Sequence, residues 1–350
     1  MVKLRRAQRI QAAIGPILGN LPERIQRRIA GPPIVVRDQT LAPDMQIVLK
    51  AISARGGIID ESPGRLRKRQ AVGAVMASGS RIDVTTRDLT VAGLQARHYV
   101  GPANAPLAMF LHGGGFVFGD LETHDRLCRQ LCKHAGVHVL AIEYRLAPEF
   151  PFPAAADDAA LAWKWTTAHA AELGADPKRI AIAGDSAGGN LATVTAQTFA
   201  NTAQAPIAQL LIYPTVDHEG AYESKELYAD NFFLTREAMT WFREHYIADG
   251  FQDGDVRLRP IAAHSFANQP PAIVVTAGFD PLRDEGEAYA RLLADAGNRV
   301  VVRRFDGLIH GFANMTGVSR SANDAVLEIA GMLRAFVAEL PIAAVAMKSA

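Results

Sequence analysis

A serine lies within the glycine-rich run Gly184–Gly189, and its surroundings could support nucleophilic chemistry. The run follows an apolar stretch, Arg179–Ala183, that is typical of a buried strand, and it precedes a helical pattern at Asn190–Phe199. A G-x-S-x-G sequence at a strand-to-helix turn exposes the serine hydroxyl on a tight bend, beside the amides and positive dipole end of the helix. An ordinary surface turn is the alternative, but the flanking strand and helix favour Ser186 as a nucleophile.

A second glycine-rich turn, His112–Gly115, lies at the end of the apolar run Leu107–Leu111. Consecutive glycines let backbone amides approach a substrate oxygen without obstruction, as an oxyanion hole requires. A phosphate-binding loop is the competing interpretation, but the lysine of a P-loop and a G-x-G-x-x-G pattern are both missing from this turn. The predicted oxyanion-hole donors are the amides of Gly114, Gly115 and Ala187, and the predicted supporting residues are His112 and Gly113.

An acid and a base follow Ser186 in chain order. Asp280 comes directly after the apolar run Ala272–Phe279, and His310 follows the run Val300–Phe305. A neutral imidazole can take a proton from a serine hydroxyl and return it to a leaving group, while a carboxylate fixes the tautomer of the ring. Asp284 is the alternative acid, but a helix beginning at Pro281 would place it inside that helix, so Asp280 is favoured.

Apolar runs and helical patterns alternate along the chain, which is typical of a parallel sheet with crossover helices. A two-residue gap between two alternating segments predicts an antiparallel hairpin ahead of the parallel strands. We therefore expect an α/β fold with a mostly parallel eight-stranded sheet flanked by helices. The predicted strands are Arg81–Val91, Leu94–Val100, Leu107–Leu111, Val137–Tyr144, Arg179–Ala183, Gln209–Tyr213, Ala272–Ala277 and Val300–Phe305.

Two segments do not fit a simple crossover. Residues 216–255 are too long for one and are rich in aromatic side chains, so we interpret them as an insertion that forms a helical cap. Residues 1–60 form a basic helical segment that we expect to contribute to the same cap. The catalytic domain would then comprise residues 75–215 and 256–340.

Composition excludes several classes of protein. The chain has 350 residues, 49% of them hydrophobic, and a formal net charge of +1, so extensive disorder and general nucleic-acid binding are not expected. It has two cysteines, no apolar stretch long enough to cross a bilayer and no recognisable signal peptide, which together predict a cytoplasmic protein.

The positive charge is concentrated near the N-terminus. Residues 1–70 contain fourteen basic and five acidic residues. One interpretation is a basic amphipathic segment, within residues 1–30, that contacts an anionic membrane surface. The interpretation we favour is a helical flap that packs on the acidic remainder of the same chain.

A metal site is a further hypothesis, because four side chains that commonly bind zinc fall within eleven positions: His124, Cys128, Cys132 and His134. Two cysteines four residues apart on an apolar helix are more typical of a packed core. We therefore expect neither a metal nor an organic cofactor.

The motifs taken together resemble the bacterial hormone-sensitive-lipase family of esterases, which have the α/β-hydrolase fold. The segments that carry the resemblance are His112–Phe116, Glu143–Glu149, Pro151–Ala155, Gly184–Gly189, Asp280–Glu285 and His310–Phe312. The resemblance implies a helical cap, metal-independent hydrolysis of carboxylic esters, and a catalytic triad of Ser186, Asp280 and His310.

The resemblance also implies a small-molecule ester substrate and, in many family members, a homodimer through the last strand and helix, here about Val300–Phe336. Acyl chains of short to medium length are expected. An amide or N-acetyl hydrolase with the same triad is the alternative activity. A ligand receptor with a hydrolase fold is a third hypothesis, but such receptors lose a member of the triad and this chain keeps all three.

Overall fold

One mostly parallel sheet of eight strands organises the molecule. The computed structural model describes residues 14–54, 62–77, 79–248 and 254–339. Its strands are β3 (Thr86–Val91), β4 (Leu94–Tyr99), β5 (Leu107–Leu111), β6 (His138–Glu143), β7 (Ile180–Asp185), β8 (Gln209–Ile212), β9 (Ala272–Phe279) and β10 (Val300–Ile309), while β1 (Val35–Val36) and β2 (Gln39–Thr40) form a separate small hairpin. The strand order in the large sheet is β10-β9-β8-β7-β5-β6-β4-β3, with antiparallel pairing only where β4 meets β3 and β6. The predicted fold class is confirmed.

Ten helices with defined bounds surround the sheet in the described part of the chain. They are α1 (Glu23–Ala30), α2 (Pro43–Ser53), α3 (Pro63–Ala77), α4 (Asp125–Ala135), α5 (Ala154–His169), α6 (Ala187–Phe199), α7 (Glu223–Leu227), α8 (Arg236–Tyr246), α9 (Arg283–Asp295) and α10 (Arg320–Glu339). Helices α4 and α10 bury apolar side chains against one face of the sheet. Helices α5, α6 and α9 do so on the other face. Both faces are covered, as a parallel sheet requires.

The antiparallel hairpin forms where the sequence predicts it. Val91 pairs with Leu94, and the two residues between them, Ala92 and Gly93, have φ angles of 50° and 89°. Positive φ at both central positions matches the right-handed twist of a two-residue hairpin.

Strand β10 is longer than the apolar run predicted. Its pairing with β9 shifts register between Phe305 and Ile309. At this bulge the backbone of β9 passes so closely that a Cβ on Gly278 would lie 2.1 Å from the carbonyl oxygen of Asp306. The bulge lets the strand continue to Ile309, so His310 follows the strand directly rather than lying in a longer loop.

The sequence pattern predicts a helix at Trp163–Glu172, but helix α5 begins nine residues earlier, directly after Pro153. Its first half is rich in alanine, and its buried face there is built from Ala155, Ala156 and Ala159. Small side chains give little contrast between the apolar and polar faces of a helix, which explains why periodicity missed this half.

The N-terminal helices lie over the body of the protein. Arg37 pairs with Glu223, and Arg67 pairs with Glu149. Helix α1 leaves Ile25 and Ile29 exposed to solvent. The last of these helices, α3, lies beyond residue 60 and ends at Ala77, while residues 1–13 and 55–61 lie outside the described ranges. Within those ranges, none of the helices has the length and apolar character needed to cross a membrane.

Candidate active site

Ser186 occupies the sharp turn between β7 and α6. Its φ and ψ angles are 55° and −119°, a conformation that L-residues rarely adopt. The turn is fixed by its own backbone: the Ser186 amide donates to Ile212 (2.9 Å), and its carbonyl accepts from Asn190 (3.0 Å). Gly188 is required because a Cβ there would lie 2.0 Å from the carbonyl oxygen of Leu111. Strain of this kind persists only where the surroundings enforce it, as is common at functional sites.

The structure brings Ser186, His310 and Asp280 into one hydrogen-bonded line. The distance from Ser186 Oγ to His310 Nε2 is 2.9 Å, and that from His310 Nδ1 to Asp280 Oδ2 is 2.8 Å. Asp280 is fully buried, and its other oxygen accepts from the amide of Leu282 at 2.8 Å. A carboxylate accepts the proton on Nδ1, so the lone pair of Nε2 faces the serine hydroxyl.

Asp284, the alternative acid, lies in the first turn of α9 and faces a different group of residues. Its carboxylate accepts from the amide of Ser224 (2.8 Å) and from Arg283 Nε (2.7 Å). It therefore joins α9 to α7 rather than orienting His310.

The predicted oxyanion loop and Ser186 line the same cavity. Gly114 and Gly115 have φ angles of 126° and 58°, and a Cβ on Gly114 would lie 2.0 Å from the carbonyl oxygen of Phe118. Within the described ranges, the amides of Gly114, Gly115 and Ala187 donate no hydrogen bond to another protein group. Uncommitted amides that converge on a nucleophile are able to bind a developing oxyanion.

Asp185 is a site residue whose role sequence reasoning missed. Its buried carboxylate accepts four hydrogen bonds: on Oδ1 from the Gly113 amide (2.7 Å) and His124 Nε2 (3.3 Å), and on Oδ2 from Tyr213 Oη and Asn314 Nδ2 (both 3.2 Å). Burial alone would raise the pKa of Asp185, but the His124 ring and the Gly113 amide outweigh it and lower the pKa below its ordinary value. The only signal in the sequence is its position immediately before Ser186, in a buried strand.

His112 is hydrogen-bonded to the predicted oxyanion loop and packs beside it. Its Nδ1 donates to the carbonyl oxygen of Gly113 at 2.9 Å, and its ring stacks on Tyr144 with centroids 4.2 Å apart. Burial, with a smaller contribution from the charge of His124, lowers the pKa of His112 to about 4. The ring is therefore neutral at neutral pH, which suits a supporting group.

The side chains considered for a zinc site serve other contacts. Cys128 and Cys132 are buried free thiols on α4. Burial raises the pKa of the Cys128 thiol well above its ordinary value and that of the Cys132 thiol to about 11. His124 contacts Asp185. In the part of the chain that the structure describes, no group of three or more His, Cys, Asp or Glu side chains is arranged to hold a metal ion.

A cavity of about 1020 Å³ opens above Ser186. Its lining includes residues of the N-terminal helices, of the segment after His310 and of the segment between β8 and β9. The apolar residues among them include Val48, Ile52, Met76, Met315, Leu234, Phe242 and Leu258. A predominantly apolar cavity with a few polar groups at its base is the usual form of a small-molecule site.

Comparison with known proteins agrees with this geometry. A family model described as the α/β-hydrolase fold matches residues 108–314. The chain belongs to the α/β-hydrolase family. Within it, the predicted resemblance to the hormone-sensitive-lipase group of esterases is confirmed.

Curated relatives of this α/β-hydrolase are named as ester hydrolases. It is 38% identical to "Carboxylic ester hydrolase LipN" of Mycobacterium tuberculosis, over 96% of this chain and 94% of that protein. It is 37% identical to "Ethyl acetate hydrolase" of Pseudomonas putida, over 73% of this chain and 82% of that protein. Among solved structures, an esterase of Pyrobaculum calidifontis matches 84% of this chain and 98% of its own, with 36% identity and a TM-score of 0.78.

Proposed function

We propose that this α/β-hydrolase is a serine carboxylesterase that cleaves small carboxylic esters with short to medium acyl chains. The observation that carries the proposal is the continuous hydrogen-bonded line from Ser186 through His310 to Asp280, beside uncommitted amides. The names of its relatives, which include a carboxylic ester hydrolase and an ethyl acetate hydrolase, support the same substrate class.

Acylation begins when Ser186 Oγ attacks the carbonyl carbon of the ester and His310 Nε2 takes the hydroxyl proton. Asp280 holds the ring in the tautomer that exposes Nε2 and stabilises the imidazolium. As the tetrahedral intermediate collapses, His310 gives that proton to the oxygen of the leaving alcohol. A water molecule, deprotonated by His310, then attacks the acyl-enzyme, releases the acid and restores the serine.

Negative charge develops on the carbonyl oxygen during both steps. The amides of Gly114, Gly115 and Ala187 supply hydrogen bonds to it, and the last of these lies at the N-terminus of α6, where the helix dipole adds to the stabilisation. His112 and Gly113 support this loop without touching the substrate. No metal or cofactor is required for any step.

Substitution of the triad tests the proposal. Ser186→Ala should abolish turnover of p-nitrophenyl butyrate without loss of folded structure by circular dichroism, and His310→Ala should be nearly as damaging. Full turnover by purified Ser186→Ala would refute the assignment. Initial rates from acetyl to palmitoyl esters test the acyl preference. A sharp optimum at short chains supports the proposal, and rising activity on emulsified long-chain esters would favour a lipase instead.

The cap, the compartment and the partners are part of the proposal. We place the cap in the N-terminal helices and residues 216–255, since both line the cavity. Two buried thiols without a disulfide suit a reducing, cytoplasmic compartment. Membrane-surface contact through residues 1–30 and a homodimer through Val300–Phe336 stay predictions; β10 is an edge strand, as the latter requires.

A further inference from the structure

Arg67, on the cap helix α3, reaches from the N-terminal flap to the loop that carries the oxyanion-hole donors. Its Nε donates to the carbonyl oxygen of Val117 at 2.7 Å, and its Nη2 donates to the carbonyl oxygen of Ala147 at 2.7 Å. The remaining donors of the guanidinium meet both carboxylate oxygens of Glu149, at 2.8 and 2.6 Å. One rigid planar group therefore joins two backbone segments and a carboxylate.

One carbonyl that Arg67 holds, that of Val117, belongs to the oxyanion loop, and the other, that of Ala147, belongs to the segment after β6 that is bonded to this loop. The amides of Val117 and Phe118 both donate to the carbonyl oxygen of Gly114, at 3.1 and 3.0 Å. The amide of Ala147 donates to the carbonyl oxygen of Phe116 at 2.9 Å. Arg67 thus fixes the position of Val117 relative to Ala147, and these bonds transmit that position to Gly114.

The loop needs such restraint because its backbone is strained. Gly115 has a φ angle of 58°, and Phe116, which has a side chain, has a φ angle of 63°. A left-handed conformation at a residue with a Cβ is maintained only when neighbouring structure enforces it. Asp185 restrains the first residue of the loop, and the ring of Tyr246, with its centroid 3.8 Å away, stacks on Phe116.

Helix α3 contacts the body near both of its ends. Only Leu66 and Met76 are buried among its residues. At its far end, the carbonyl oxygen of Ala77 accepts from the amide of Gly317 at 3.0 Å, in the segment that follows His310. Between these ends, residues 69–77 supply much of one wall of the cavity. The helix that borders the substrate cavity therefore also contacts the oxyanion loop through one side chain.

We infer that Arg67 is a positioning residue for ester hydrolysis: the cap helix α3 supplies its guanidinium to hold the oxyanion loop in the geometry that binds the transition state. The inference rests on the proposed esterase function and adds a residue from outside the catalytic domain. The same side chain holds helix α3 on the body and holds the oxyanion loop in place. A displacement of α3 therefore also removes this restraint from the oxyanion hole.

The ion pair between Arg67 and Glu149 is not the interaction that positions the oxyanion loop. Glu149 is more than half exposed, and exposed pairs stabilise a fold by about 1 kcal/mol or less. The bonds to the carbonyl oxygens of Val117 and Ala147 are what position the loop. Glu149→Gln, which removes the charge and leaves both carbonyls in place, separates the two contributions.

The test compares Arg67→Ala, Arg67→Met and Arg67→Lys with Glu149→Gln and with Arg65→Ala, a matched control for loss of a cation from an exposed position on the same helix. Wild-type enzyme and Ser186→Ala are assayed first with p-nitrophenyl butyrate, so that failure of the proposed function is seen separately. For each variant we measure kcat, KM, the unfolding midpoint and the inhibition constant of 1,1,1-trifluoroheptan-2-one, whose hemiketal oxygen occupies the oxyanion hole.

Arg67→Ala and Arg67→Met should lower kcat about tenfold or more with little change in KM, since a loosened loop weakens transition-state binding, although less than outright removal of a donor. The inhibition constant of the ketone should rise by the same factor as kcat/KM falls. Arg67→Lys, whose ammonium lacks the planar fork, should lie between wild type and alanine. Both controls should stay within twofold of wild type.

Wild-type kcat and ketone affinity in the Arg67 variants would overturn the inference. So would a loss of kcat with unchanged ketone affinity, or an equal loss in Arg65→Ala, because either result would indicate a general effect on folding or charge. If the alanine and methionine variants do not fold, Arg67→Lys decides: wild-type kcat and ketone affinity in that variant overturn the inference as well.

Discussion

Replacement of Asp185 by asparagine isolates the contribution of one buried carboxylate to the site. The two side chains have nearly the same shape, but the carboxylate accepts four hydrogen bonds on two oxygens. Asparagine keeps one oxygen, which can accept two of them, and turns an amide group with two protons towards the other donors. The Tyr213 hydroxyl and the His124 ring can change from donor to acceptor, but the amide of Gly113 or that of Asn314 then faces amide protons. One buried donor therefore loses its acceptor in either orientation.

A buried donor left without an acceptor costs about 1–3 kcal/mol, so Asp185→Asn should lower the free energy of unfolding by about 1–3 kcal/mol. Activity should fall as well, because the lost partners include either the amide of Gly113, which begins the oxyanion loop, or groups beside His310. We expect kcat to fall about ten- to a hundredfold, less than the roughly hundred- to thousandfold loss for removal of an oxyanion donor itself.

Urea unfolding and steady-state kinetics with p-nitrophenyl butyrate provide the assay. Asp44→Asn is the matched control, because Asp44 is also a buried carboxylate that accepts several hydrogen bonds, from Ser319 and Ser321, and is not among the cavity residues. It should lose stability and keep kcat. An Asp185→Asn protein with wild-type stability and wild-type kcat would refute the reasoning.

The remaining predictions concern pH, the oxyanion loop and the cap. The pKa of His112 is about 4 in the folded protein against an ordinary value near 6.5, so its neutral form contributes stability above pH 6.5 that is lost as the pH falls towards 4, by as much as about 3 kcal/mol. Urea unfolding between pH 7 and pH 4 checks this, and His112→Asn should flatten the profile. Gly115→Ala should reduce kcat and the melting temperature, since its Cβ would lie 2.4 Å from an aromatic ring of α8; Gly136→Ala, also at positive φ but in open space, should cost only about 1–2 kcal/mol. Lys225→Met should cost about 3–5 kcal/mol by leaving the fully buried Glu285 without its cation at 2.8 Å, and added Glu285→Gln should recover part of it; additive losses in the double variant would contradict this.

The sheet could be predicted because its strands are continuous apolar runs, and the site because its turns need glycine where φ is positive or another backbone segment passes closely. The runs ending at Leu111 and Phe279 begin and end in the structure where the apolar pattern changes. Motif order placed Ser186, Asp280 and His310 at one edge of the sheet, and the structure joins them by hydrogen bonds. Such signals are local: each needs only a few neighbouring residues.

What could not be predicted depends on contacts between distant segments. The bulge that brings His310 to the end of β10 arises from the approach of Gly278 in a neighbouring strand. Arg67 counted only as one positive charge among many, because nothing nearby in sequence indicates that its acceptors lie at Val117 and Ala147. Charge and exposure patterns describe a surface on average and do not identify which cation turns inward.

Covalent labelling tests the central claim most directly. A fluorophosphonate probe should modify the protein once, peptide mapping should place the adduct on Ser186, and labelling should stop together with ester turnover. Ser186→Ala should show neither adduct nor turnover. An adduct on another residue, or sustained ester hydrolysis by fully labelled protein, would contradict the account.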